Sequence, residues 1–513
     1  MTYLFRASFS PVQSFIAQSR KLQDLYAGSY VLSYLAKMII KAAEDNGAEI
    51  LYPKYEIKRT TYPNLFMAKV PADNTKQLQE FAQQIEQALH REWRKIGEKV
   101  MDSWGLKPNK EFNAQIDHLW QFFWSAEEYK SGAEYRSTFL KTLQKMGAAK
   151  TTRLFNQLEQ ESGRKCDINP EYNALFCRKR KGHMNPETTY ELDFHTYDYK
   201  PDRDDDSLDN KYIKQNEVLS GVAFIKRSLK KALPEFDDNF PDIASIAGDH
   251  KYYALLQFDG DNMGTMYSTE NLPAEKLEEF QVTLSKLVSE SSEHMTRIVA
   301  AQKNNGIVIY AGGDDFLGVF NLDTALSILE ALRNDFQTTI KIDDYLSNHT
   351  VTLSAGIVVA HIKTPLSEVL RWAHESEEKA KVYNNTQKDA YCLTILKHSG
   401  EISQYCHSFT LGDENGISVL QGLIDTVVKK DVSTSFIYQL MGEFERIISD
   451  NWREMVLIEA RRLLARSDTP HNDAGHILGF LNTLINKGGD SKEDFLNLLG
   501  SVAFIARQRG GAR

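Results

Sequence analysis

Apolar positions along the chain follow two periods in turn. The opening YLFRASF is a short run of strand type, after which Val12, Phe15, Ile16, Leu22 and Tyr26 recur at three- and four-residue steps. That spacing predicts a helix, with Ser10 as its N-cap and Pro11 at its first position. Gly28-Ser29 reads as an interruption, and YVLSYLAKMIIKAA carries the helix on to Gly47. Two extended runs within EILYPKYEIKRTTYPNLFMAKVP follow, joined by a turn-rich connector, and then helical periodicity from about 74 to 103. Strand, helices, hairpin and helix in this order predict a ferredoxin-like palm over residues 1–110.

Residues 104–250 are less regular: HLWQFFWSA reads as a buried aromatic segment, 163–216 as loop-rich, and NEVLSGVAFIKRSLKKAL restores helical periodicity. From 251 the first order of elements returns. The strand-like YYALLQF, a helix over about 273–303, a hairpin at 307–320, a helix at 322–338, the strand TVTLSAGIVVA and the helix PLSEVLRWAHESEEKAKVYNN predict a second palm over 251–400. The expected fold is therefore α+β: two ferredoxin-like palms, a helical and loop-rich region between them (111–250), and a helical domain over 401–513. In that last region Phe436, Leu440, Phe444 and Ile448 recur every four residues, as on one packed helix face.

At 513 residues the chain is too long for one core. Its composition, 42% hydrophobic and 26% charged, is that of a soluble globular protein rather than a disordered or fibrous one. No apolar run is long enough to cross a bilayer, and MTYLFRASFSPVQ lacks the features of a signal peptide. Four cysteines, at 166, 177, 392 and 406, are too few and too scattered for a disulfide framework. A cytoplasmic protein without a membrane partner is the expectation. The net charge of −9 argues against non-specific nucleic-acid binding by the whole surface but leaves room for a local basic groove. Arg178 to Lys181 and the acidic stretch 198–210 read together as a solvated loop of mixed charge.

The sharpest candidate chemistry lies in IVIYAGGDDFLGVF, where two glycines and two aspartates separate apolar runs. Alone, AGGDD is a turn, since glycine supplies positive φ and aspartate tolerates turn positions. The earlier strand changes the weighing because it ends in DGDNMG, and in a palm that strand end lies beside the hairpin tip. Asp259, Asp314 and Asp315 would then converge, and three carboxylates repel one another unless cations sit between them. Mg²⁺ joins carboxylates to substrate phosphates, and a pair of ions serves both oxygens of an in-line displacement. The glycines allow backbone to approach a triphosphate, and the helix ending EEKAKVY brings Lys379 and Lys381 as candidate phosphate ligands, against the plainer reading of solvated helix lysines.

SPVQSFIAQSRKLQDLYAGSYVLSYL, YPNLF, AAKTTRLF, ALLQFDGDNMG, IYAGGDDF and LSAGIVVAHIKTPLSEVL together resemble the large palm-domain subunit of type III CRISPR effector complexes, in the Cmr-type branch. The resemblance runs from residue 3 to about 395 and more loosely through the tail. It implies a non-catalytic first palm facing a catalytic second one, with ATP between them. It implies Asp259, Asp314 and Asp315 as catalytic carboxylates holding two Mg²⁺ or Mn²⁺ ions; Gly260, Asp261, Gly312, Gly313, Lys379 and Lys381 are the candidate nucleotide-binding residues beside them. The implied reaction joins the α-phosphate of ATP to a ribose hydroxyl, releases pyrophosphate and gives an adenylate messenger, usually a cyclic oligoadenylate. The implied partners are the other subunits of the ribonucleoprotein, its guide RNA and the target RNA that switches synthesis on.

Two departures from the family pattern stand out. Many relatives begin with an HD nuclease domain, whereas no His-Asp pair precedes Phe5 here, so DNA cleavage is not expected. Relatives also carry a paired CxxC zinc site between the palms; here Asn169 stands where a cysteine would, leaving Cys166, Cys177 and His183, so zinc is not expected. Three alternatives stay open: transfer of AMP to S-adenosylmethionine, a diguanylate cyclase using a GGDEF-like hairpin, and a catalytically silent scaffold.

Overall fold

A computed structural model of the chain describes residues 1–54, 56, 61–130, 132–152, 163–178, 184–192, 212–233, 241–302, 305–347, 349–386, 388–429, 434–446, 451–466, 471–487 and 491–510. Lys179 to Lys181, His183, the whole acidic stretch 198–210 and Ile448 therefore lie outside the described residues. Compactness divides the chain in two: Met1–Phe240 with Thr265–Lys286, and Pro241–Gly264 with Leu287–Arg513. The boundaries expected from the sequence do not coincide with these units: residues 265–286 of the expected second palm fall in the first unit, and 241–250 of the expected inter-palm region fall in the second.

In the first unit, strands β1 (Thr2–Ser10), β2 (Glu49–Tyr52), β3 (Leu65–Pro71) and β4 (Gln121–Tyr129) form an antiparallel sheet of order β2-β3-β1-β4. Alternation on β1 sends Phe5, Ala7 and Phe9 into the main core and puts the Arg6 guanidinium over the Phe139 ring on the other face. Helices α1 (Gln13–Ala17), α2 (Leu22–Asp45) and α3 (Thr75–Ser103) connect the strands. The aromatic run after residue 118, read as irregular, is the fourth palm strand, so this palm extends past residue 110.

The first helix differs from expectation. It breaks at Gln18–Lys21, not at Gly28-Ser29, and α2 passes unbroken through both of those residues. Val12, not Ser10, is its N-cap residue, without a side-chain cap. Long-range packing explains where the helix breaks and why it continues through Gly28. Lys226, on a helix at Gly221–Ala232, donates to the carbonyls of Phe15 and Gln18 (2.6 and 2.7 Å) and to Ser19 Oγ (3.0 Å), taking carbonyls a continuous helix would use. A Cβ on Gly28 would meet Lys226 Cε at 3.2 Å, so the glycine makes room for the lysine stem. Beside it, fully buried Arg227 donates to Asp24 Oδ2 (2.8 Å) and Glu217 Oε2 (3.0 Å). Asn169 accepts from Ser220 Oγ at 2.7 Å, and the thiols of Cys166 and Cys177 are buried in separate apolar clusters.

The second unit is built on a six-stranded sheet. Numbering on from the small strands Phe176–Cys177 (β5), Tyr190–Glu191 (β6) and Val218–Leu219 (β7), it contains β8 (Tyr252–Gly260), β9 (Gly306–Gly312), β10 (Asp315–Asn321), β11 (Leu353–His361), β12 (Ala390–Leu396) and β13 (Ile402–Ser408). Their order is β13-β12-β11-β8-β10-β9, so β9-β10-β8-β11 repeats the order of the first palm and β12-β13 extend it. Residues Leu366–Thr386 form a helix against β11 and β12, lying so close that a Cβ on Gly356 would come within 2.4 Å of the Ala373 carbonyl oxygen. Cys392 and Cys406 face each other across β12 and β13 as a disulfide, a pairing the scattered spacing did not suggest. The helical domain expected from residue 401 therefore starts later: β13 (Ile402–Ser408) pairs with β12 as an edge strand of the palm sheet, and only from Gly416 are the described residues helical, with Phe436, Leu440 and Phe444 buried. Among the described residues no helix is long and apolar enough to cross a membrane.

Candidate active site

The two acidic motifs meet where β8 ends. Register pairs Phe258 with Phe316 on β10, and the Gly260 N–H donates to the Asp314 carbonyl at 3.1 Å. The fit depends on glycine: a Cβ at Gly260 would lie 2.9 Å from Asp314 Cβ, Met263 Cγ and Phe336 Cζ. Gly313 turns the hairpin with φ +94°, a region glycine enters without the usual cost. Its N–H donates to Ser292 Oγ at 3.0 Å, and that hydroxyl donates to the Gly313 carbonyl, also at 3.0 Å. Ser292, on the helix Ala274–Ala300, thus clamps the turn that carries the aspartates. Nothing in the sequence motif pointed to it, since a buried serine at this spacing is common in helices.

The three expected carboxylates do come together. Asp315 shares a side-chain hydrogen bond with Asp259, and both act electrostatically on their neighbours. Burial and then Asp259 push Asp314 up to about 6. Asp315 is raised well above the ordinary carboxylate range, by burial of its carboxyl and then by Asp314 and Asp259. The residue still opens to solvent at the hairpin tip, so mutual repulsion is the cause that persists in wet surroundings.

A cation already sits at one corner. Lys381 Nζ lies 2.9 Å from Asp259 Oδ2 and 2.5 Å from Glu377 Oε1, and Glu377 also accepts from Gln257 Nε2 at 2.6 Å. Burial works against the lysine's charge, but the hydrogen bonds to Glu377 and Asp259 outweigh it and hold its pKa above the usual value. Lys379 goes elsewhere, to Gln404 on β13. Asp261 is also turned away: its carboxylate accepts from Ser354 Oγ (2.7 Å), Thr352 Oγ1 (2.8 Å) and the Asp389 N–H (3.0 Å), and the residue is buried.

The donor set suits a hard divalent cation, being all carboxylate oxygen with an ammonium standing in for part of the positive charge. Among the described residues no three His, Cys, Asp or Glu side chains are already set around one point as a metal site.

Comparison with known proteins adds to this geometry. Residues 252–392 match the family described as Cas10/Cmr2, second palm domain, and residues 4–98 match CRISPR-associated protein Cmr2, N-terminal. Among curated proteins, the CRISPR system Cmr subunit Cmr2 of Pyrococcus furiosus is 32% identical over 176 residues, covering 30% of this chain and 20% of the relative. The single-strand-specific deoxyribonuclease Cas10/Csm1 (subtype III-A) of Methanocaldococcus jannaschii is 24% identical over 235 residues, covering 41% of this chain and 29% of the relative. The matched segments thus span under a third of either relative's length. Among solved structures, the apo state of a type III-B Cmr-beta complex contains a chain matched with TM-score 0.67 at 13% identity, covering 100% of this chain and 82% of that one. A Csm1–Csm4 cassette in complex with cA4 matches with TM-score 0.51 at 12% identity, covering 94% and 70%. At such identities these structures show a shared fold.

Proposed function

We propose that the chain is a Cas10/Cmr2-type subunit and that its second palm is an ATP-consuming nucleotidyltransferase, working within a type III CRISPR ribonucleoprotein. The product is an adenylate second messenger of cyclic oligoadenylate type, in keeping with the relative solved with cA4. The observation that carries this reading is the meeting of Asp259, Asp314 and Asp315 at a glycine-lined strand end, with Lys381 beside them.

Asp259, Asp314 and Asp315 would hold Mg²⁺ or Mn²⁺, which supplies charge neutralisation at the reacting phosphate and the departing pyrophosphate. Lys381, freed from Asp259, is placed to meet a phosphate oxygen, and Glu377 keeps it within reach. Gly260 and Gly313 keep side chains out of the space beside the carboxylates, and Ser292 fixes the turn. In the reaction the oxygen of an acceptor ribose hydroxyl bonds to the α-phosphorus of ATP. The bond from that phosphorus to the bridging oxygen of pyrophosphate breaks, and the hydroxyl proton passes to solvent. The partners are the other subunits, the guide RNA and the target RNA.

The test is mass spectrometry of products from the assembled complex given ATP, target RNA and Mg²⁺ or Mn²⁺, with and without S-adenosylmethionine. Asp314→Ala with Asp315→Ala is expected to abolish product while target-RNA binding persists. Retained synthesis in that double variant would overturn the assignment, and a product seen only with S-adenosylmethionine would reassign the acceptor.

A further inference from the structure

The end of the second sheet opposite the carboxylates gathers a different chemistry. β8 begins at Tyr252, paired with His361 at the end of β11, and β12 runs on into Lys397 and His398 beside them. The imidazoles of His361 and His398 stack with centroids 4.4 Å apart. Tyr252 meets His361 edge-on at 5.1 Å and Phe504 edge-on at 4.9 Å. The four rings form a column ending in His398, an exposed residue. The column is held by backbone: the His398 N–H donates to the Tyr252 hydroxyl at 3.1 Å, and the Lys363 N–H donates to His361 Nδ1 at 3.2 Å. With Nδ1 accepting, the His361 proton sits on Nε2 and is itself a donor.

Cations surround this column. Lys251 and Lys363 are exposed and tied together through the Ile362 N–H, which donates to the Lys251 carbonyl at 3.0 Å. Neither ammonium has a carboxylate partner among the described residues, whereas Lys397, over the Phe504 ring, pairs with Glu401 at 2.5 Å. Burial, then His398, Lys363 and Lys251, hold His361 below its ordinary pKa. Two exposed lysines without a carboxylate partner among the described residues thus lie beside an exposed histidine, in a chain of net charge −9.

We propose that this face binds single-stranded nucleic acid, with Lys251 and Lys363 on backbone phosphates and the exposed face of His398 as a stacking platform for a base. Lysines beside a stacked ring are the elements by which proteins hold single strands without reading sequence. An acidic peptide would use the lysines but would have no use for the ring. The face is distinct from the carboxylate site: Tyr252 and Asp259 are seven steps apart on β8, about 23 Å at the usual strand rise.

The test is fluorescence anisotropy of the full chain with labelled oligouridine and oligodeoxythymidine over a salt series, the two probes distinguishing RNA from DNA. Lys251→Glu with Lys363→Glu is expected to weaken binding at least about tenfold and to make the salt dependence shallower by about 1.4, at about 0.7 per phosphate contact. His398→Ala is expected to weaken binding about fivefold or more at unchanged salt slope, the signature of lost stacking. Asp314→Ala with Asp315→Ala leaves binding intact, so failure of the nucleotidyltransferase reading would not touch this result. Should the charge reversals lower the melting temperature, Lys251→Gln with Lys363→Gln replaces them. Three outcomes overturn the proposal: no binding by the wild type at low salt, affinity unchanged in the lysine variants, or full displacement by polyglutamate with no effect of His398→Ala, which marks an acidic-protein surface.

Discussion

Replacing Gly356 with alanine tests whether the helix carrying Lys381 is positioned by close packing on β11. An added Cβ would lie 2.4 Å from the Ala373 carbonyl oxygen, 2.7 Å from the Glu377 nitrogen and 2.9 Å from Ser376 Cβ. Two of these are backbone atoms, which cannot swing aside, and ordinary contact begins at 3.4 Å. The helix must therefore retreat by roughly 1 Å, within a close-packed interior. The Lys381–Asp259 contact at 2.9 Å and the Gln257–Glu377 bond at 2.6 Å have no slack for that, because hydrogen bonds weaken beyond about 3.2 Å. Overpacking costs about 1–3 kcal/mol, and the loosened bonds add about 1 kcal/mol. About 3 kcal/mol in a unit of this size corresponds to a melting shift of about 6–12 °C. Calorimetry should show that drop, and messenger synthesis should fall further than the melting curve accounts for. Gly479→Ala, on the helix His471–Lys487 with nothing within 4 Å of the added Cβ, is the control and should gain about 1 kcal/mol. An unchanged melting temperature and unchanged product from Gly356→Ala would refute this account of how Lys381 is placed.

Asp261→Ala strands three donors in a buried network and should cost about 3–5 kcal/mol in thermal melts. Asp259→Asn should leave stability within about 1 kcal/mol while removing product, because it deletes the charge a cation needs. Asp24 is buried, which alone would raise its pKa, yet Arg227 outweighs that and holds it below the ordinary carboxylate value. The stability it contributes is present above its unfolded pKa of about 3.9 and lost as pH falls through the lower folded value. Asp24→Asn should therefore flatten the acid limb of a stability–pH profile, and an unchanged limb would remove Asp24 from the account. The isolated chain, given ATP and metal, is expected to make little product until partner subunits and target RNA are added, as read by the same mass spectrometry.

Much of the architecture was legible because both palms repeat one order of strand and helix periodicity, and the sheet orders β2-β3-β1-β4 and β9-β10-β8-β11 have the same form. What escaped depends on partners remote in sequence. Gly28 reads as a break only while Lys226 is out of view. The strand Gln121–Tyr129 carries aromatic residues on both faces and so shows no alternation. The Cys392–Cys406 pairing follows from the β12–β13 register, which no spacing rule supplies.

Within the site, the positions of Lys379 and Asp261 have a geometric origin. Lys379 and Lys381 are two positions apart on one helix, so they point about 200° apart and cannot serve one face. Glu377, four residues before Lys381, selects which of them turns inward. On β8 the end of the strand decides the matter. Gln257 and Asp259 share a strand face, and both reach the helix Leu366–Thr386, through Glu377 and Lys381. Extending that period to Asp261 would place it on the same face, but the strand ends at Gly260 and the chain turns through Asn262 at φ +58°. The Asp261 N–H donates to the Thr352 carbonyl at 2.8 Å, and the carboxylate then binds Thr352, Ser354 and the Asp389 N–H. The second aspartate of DGD thus braces the strand end that presents the first. Where β8 stops, rather than the spacing of the acids, decides which carboxylate faces the hairpin and which one anchors it.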